Sequence, residues 1–187
     1  MVRDLATSLK GAAASAGGID GAQRHAFEAR RLEAAGDLAG AAKEIRLAAA
    51  IASDRPELTA ESQRLGRLVA SQLADQYRQQ ADYEERHKKW AAAALSWAKV
   101  VEGRPDDMEA LTRGALALVE AKGDLHRAQR FALRACELVP TDAAARRILG
   151  RVYLAAGLQL NAKRELERAV ALDPADPIAK SLLRELK

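Results

Sequence analysis

The sequence predicts an all-α chain built from helix pairs that recur about every 34 residues. Three observations carry the prediction. Thirty-four places before Gly157, Ala162, Ala169 and Pro174 stand Gly123, Ala128, Ala135 and Pro140. Alanine is abundant, aromatic residues make up only 4%, and no run of alternating β-branched residues rises above the helical pattern. The stretch from Arg146 to Pro174 reads as two amphipathic helices joined at Gly157.

Composition bounds the function classes. The formal net charge of +4 is spread over interleaved acidic and basic residues, which argues against a nucleic-acid partner. Nothing approaches the roughly 20 apolar residues that span a bilayer, so no membrane partner is expected. The first ten residues carry both signs of charge and do not resemble a secretory segment. With Cys136 as the single cysteine there is no intrachain disulfide, and the expectation is a cytoplasmic protein of bacterial type.

The elements follow in order. Residues 1–21 hold Gly11, Gly17, Gly18 and Gly21 among small residues, the composition of a flexible N-terminal tail. Units are expected over about 22–55, 56–107, 108–142 and 143–176, in one domain covering 22–187. Ala41, Ala93, Ala128 and Ala162 occupy one place in the four units, where a small side chain lets the second helix approach the first. Ile45, Trp97 and Leu166 stand four residues further on and fill the space beside them. Gly36-Asp37 and Gly123-Asp124 each read as a left-handed stop followed by an N-cap.

The second unit departs from the period, since Gly36 and its counterpart Lys88 are 52 residues apart. Leu58, Leu65, Val69, Leu73, Tyr77 and Ala81 form one helical stripe, so a single long helix over about 57–86 is expected, with a break near Gly66 as the rival. Gln80 and Glu84 interrupt that unit's apolar pattern. In the last segment, 177–187, Asp176 caps a helix whose Ile178, Leu182 and Leu186 form a narrow stripe suited to covering the fourth unit.

Leu149, Gly150, Tyr153, Gly157, Ala162, Leu166, Ala169 and Pro174 together resemble the tetratricopeptide repeat, TPR. The unit before matches through Val119, Gly123, Ala128, Ala135 and Pro140, and the likeness covers about 22–187. It implies a right-handed α-α superhelix of about four helix pairs plus a capping helix, the second pair having an extended first helix. The two best units are also similar to repeat arrays attached to bacterial J-domain co-chaperones, although no His-Pro-Asp motif is present.

No catalytic constellation, metal site or cofactor motif emerges. His25, His87 and His126 lack the spacing of metal ligands, and Cys136 reads as a small buried residue. Trp90 and Trp97 are seven residues apart on one helix and read as core. In the resembled family the first helices line a concave groove for peptide or protein partners. Placing that groove on this chain gives Arg30, Arg78, Arg113, Arg147 and Arg151, beside Ala110, Ala117, Ala144 and Ala155. Guanidinium groups over such a floor suit carboxylates, of acidic side chains or of a chain terminus. Some members hold acidic chaperone termini with Lys, Arg and Asn residues. Here Asn161 is the single asparagine, so that ligand set is not reproduced. The expected function is a non-enzymatic adaptor that binds a peptide or protein partner. The alternative is an assembly subunit packing through its long helix and convex face.

Overall fold

The computed structural model describes residues 21–186. The tail expected over 1–21 lies outside them except for Gly21, which is already helical. Helix α1 covers 21–34, followed by α2 (Leu38–Ile51), α3 (Pro56–Arg86), α4 (Trp90–Gly103), α5 (Met108–Glu120), α6 (Leu125–Leu138), α7 (Ala143–Ala155), α8 (Gln159–Leu172) and α9 (Pro177–Glu185). No strand occurs among the described residues. The architecture is the expected series of helix pairs with a last single helix. Helix α3 runs unbroken through Gly66, which removes the rival break.

The described residues form two compact units, divided between Val69 and Ala70 within α3. In the first, Ala41, Ile45 and Ala48 of α2 and Leu58 and Leu65 of α3 are buried with Ala22, Ala26 and Ala29 of α1. In the second, the core runs from Ala74 through Trp97, Leu111 and Phe131 to Leu149 and Tyr153, with α5 packed on both α6 and α7. The small residues act as expected: Ala41, Ala93, Ala128 and Ala162 are fully buried. Gly103 brings backbones closer still. A Cβ there would lie 2.4 Å from the Ala70 carbonyl carbon and the Ser71 amide nitrogen.

Each first helix closes the same way, with two backbone bonds reaching back over the last turn. Around Gly157, for example, Leu158 N–H donates to the Tyr153 carbonyl at 2.9 Å and Gly157 N–H to that of Leu154 at 3.0 Å. The left-handed residue in these closures is Gly36 (φ 83°), Lys88 (55°), Lys122 (51°) and Gly157 (74°). Gly123 is therefore not the stop expected of it. The turn after α5 is one residue longer, so Lys122 takes the left-handed place before Gly123 is reached. A lysine there costs about 1–2 kcal/mol that a glycine would not.

Two other departures have local causes. Glu84 is buried where the repeat pattern wants an apolar residue, and its carboxylate accepts from Gln80 Nε2 and Ser96 Oγ, each at 2.7 Å. In α9, Ile178 is 50% exposed and Ala179 is buried in its place. Ala179 stands 34 residues beyond Ala145, so α9 seats itself as a first helix does, through its small residue. Asp176 caps it, accepting from the Ile178 and Ala179 amides. Where the buried Ala115 and Gly150 stand in α5 and α7, however, α9 has the exposed Arg184.

Two substitutions test the close crossings. Ala162→Arg inserts a bulky, unpaired charge into a filled site, and overpacking alone costs about 1–3 kcal/mol. A melting temperature reduced by several degrees is expected, and a change below about 2 °C contradicts the assigned crossing. Gly103→Ala should also lower melting, because the methyl group meets backbone atoms rather than a flexible side-chain end.

Candidate functional site

The first helices of the second unit present Arg78 from α3, Arg113 from α5, and Arg147 and Arg151 from α7, the last two one turn apart. Arg30 stands exposed on α1 in the first unit, where its charge helps hold the Glu61 carboxyl below its usual range, behind the larger effect of the Arg64 hydrogen bond. The structure thus brings four of the five expected arginines into one unit.

None of those four forms a bare cation ladder. Arg78 donates to Asp107 and Glu109. Arg113 donates to Glu85 at 2.8 Å and Glu109 at 2.7 Å, pairs with Asp82 at 2.6 Å, and lies 4.4 Å over the Trp97 ring. Arg147 pairs with Asp176 at 2.6 Å, and Arg151 with Glu120 at 2.5 Å. The partners recur at one spacing, 28 to 31 residues from the arginine across these longer pairs. Arg104 to Asp75 and Arg134 to Asp106 repeat it at 29 and 28. Such a span is close to one repeat, so the contacts of Arg78, Arg113, Arg147 and Arg151 brace neighbouring helix pairs, while Arg104 ties the end of α4 to α3 and Arg134 of α6 reaches the loop before α5.

The braces differ in what they leave unused. A guanidinium has five N–H groups. Arg113 directs four contacts at Glu85, Glu109 and Asp82. Burial works against its charge, but these carboxylates outweigh burial and hold the group protonated. Arg147 and Arg151 each make one side-chain contact, with side chains 25% and 31% exposed, and retain donors for another carboxylate. Beside Arg113, an open pocket of about 500 Å³ is lined by Asp82, Glu85, Arg86, Trp90 and Arg113. Trp90 is half-buried at its wall, whereas Trp97 is fully buried and donates through Nε1 to Glu85 at 2.5 Å.

The carboxylates are not found by following arginines alone. A search for acidic residues 28 to 31 places away finds them, because the repeat period sets which charges meet. The other candidates are structural. Cys136 is buried, which pushes its thiol up to about 11. His25 contacts Glu44 at 2.6 Å between α1 and α2. Among the described residues no group of three His, Cys, Asp or Glu side chains is placed to hold a metal ion.

No protein-family model matches the sequence, and no curated protein matches it. Solved structures do. The first TPR of Spaghetti (RPAP3), bound to the HSP90 peptide SRMEEVD, aligns with TM-score 0.56 and 22% identity over 62% of this chain and 91% of that one. The chain has the tetratricopeptide-repeat fold. The Arabidopsis OM64 TPR domain agrees at TM-score 0.57 and 14% identity, covering 63% of this chain and 97% of its own. The TPR2AB domain of yeast Sti1, in complex with pHSP90, gives 0.56 and 16% over 88% and 66%. In TPR terms, Arg78, Arg113, Arg147 and Arg151 stand on the first helices of successive repeats.

Asp176 provides the test of this bracing. Burial raises its carboxyl, but the Ala179 and Ile178 amides and Arg147 together hold it below the ordinary 3.8. Its contribution is therefore fully present above that value and is lost as the pH falls through the folded one. Asp176→Asn keeps a capping oxygen but removes the charge that faces Arg147, so it should cost about 1 kcal/mol at neutral pH, and the loss should shrink in melts below pH 3.8.

Proposed function

We propose that this chain is a non-enzymatic interaction module that binds a peptide or protein partner on the first-helix face of its second unit, with an acidic segment as ligand. The observation that carries the reading is the pair Arg147 and Arg151, one turn apart on α7, each with donors to spare. Arg78 and Arg113 act as scaffold, since their guanidinium groups are committed to two and three carboxylates respectively. Similar TPR structures support peptide binding: one is bound to the HSP90 peptide SRMEEVD, another to the HSP70 peptide SGPTIEEVD. An incoming carboxylate adds to or exchanges with Asp176 and Glu120, so binding is weaker than at unpaired arginines and sensitive to salt.

The assembly-subunit reading draws on one observation, Leu95 of α4, which is 66% exposed on a second helix. Titrating the full-length chain with acidic peptides, SRMEEVD among them, separates the two. Arg147→Glu with Arg151→Glu should weaken binding by roughly tenfold or more, as two partly exposed charge-assisted contacts imply. Arg134→Glu with Arg168→Glu should leave it unchanged. If the second-helix reversals abolish partner capture and the α7 reversals do not, the assembly reading takes over.

A further inference from the structure

We propose that the edge of the second unit made by its first-to-second-helix turns is a peripheral contact surface for an anionic phospholipid bilayer. The turns at 87–89, 121–124 and 156–158 share one edge, because ion pairs tie α3 to α5 and α5 packs on α7. The α1–α2 turn of the first unit shows what such a turn needs for stability alone. Gly36 takes the left-handed place, and the Asp37 carboxylate caps the Gly40 amide at 2.8 Å.

The second unit departs from that chemistry repeatedly and in one direction. Lys88 and Lys122 occupy left-handed positions, with φ 55° and 51°. Lys89 and Leu158 stand at N-cap places and make no side-chain cap bond. Leu160 is 85% exposed and Leu158 43%, beside an open hollow of about 370 Å³ shared with Gly157, Gln159 and Asn161. Each exchange costs fold stability and places a cation or an apolar group in solvent. Local rules broken without a structural return mark a surface kept for contact.

The residue types select the partner. Apart from Lys99 with Glu102, the lysines of the described residues leave the chain's carboxylates to arginine and His25, and Lys88, Lys89 and Lys122 are in no ion pair. Of the carboxylates nearby, Glu85 and Glu120 are held by Arg113 and Arg151, which leaves Asp124 at the turn. Lysines on long stems reach headgroup phosphates while adjacent leucines enter the acyl boundary. A ridge of turn tips suits a flat, deformable surface, and no described helix is long and apolar enough to cross a membrane, so the contact is peripheral. It departs from the sequence expectation of no membrane partner and is independent of the peptide site on α7.

The experiment is flotation of the full-length protein with vesicles of phosphatidylcholine plus phosphatidylserine, against phosphatidylcholine alone. The protein should float with the anionic vesicles only, and added salt should release it. A triple variant, Lys88→Gly, Lys122→Gly and Leu158→Asp, restores the turn chemistry of the first unit. It should melt higher than the parent yet partition at least tenfold less, since each lysine lost near an anionic surface is worth about fivefold. A stabilised variant cannot lose binding through unfolding. The proposal is overturned if the parent ignores the anionic vesicles, or if the triple variant floats as well as the parent. It is equally overturned if the edge engages only a second copy of the chain or polyglutamate.

Discussion

Close approach within each helix pair is the constraint from which the rest of this structure follows. Ala41, Ala93, Ala128 and Ala162 have no exposed surface, and Ile45, Trp97 and Leu166, four places after the first, second and fourth of them, fill the space at their flanks. From α5 to α8 the helix pairs follow one another at about 34 residues. Because the period is fixed, charges roughly one repeat apart are brought face to face. The arginine braces are thus a consequence of alanine packing, and they add orientation to a core that is itself largely non-directional.

How much of this was legible depended on whether a residue's role is local or relational. The alanine places, the Asp176 cap and the unbroken α3 were readable because each is decided within a few turns of helix. The closure of α5 was misplaced by one residue, since the sequence contains a glycine suited to the left-handed place and the backbone used Lys122 instead. The stripe on α9 held only in part: Leu186 packs against the core, but the helix seats Ala179 and leaves Ile178 outside, however regular the spacing. The placement of the arginines on first helices was legible, but their pairing was not, because neutralisation by Asp82, Glu85 or Asp176 depends on partners in the neighbouring repeat.

That distinction changes what the first-helix face offers. Four arginines read in sequence look like one positively charged groove. In the fold they grade from Arg113, engaged by three carboxylates, to Arg147 and Arg151, engaged by one each, so the donors left over lie mainly on α7. Arginine counts in repeat proteins therefore overstate basic surface unless the acids one repeat away are counted as well.

The hydrogen-bonded cluster of Gln80, Glu84 and Ser96 constrains how this chain can evolve. An apolar residue restored at 84 alone strands the Ser96 hydroxyl beneath it, and one restored at 96 alone strands a buried carboxylate. Either single step passes through a less stable intermediate, while the double exchange returns a common repeat core. The α3–α4 repeat is consequently held away from the consensus of its neighbours by epistasis.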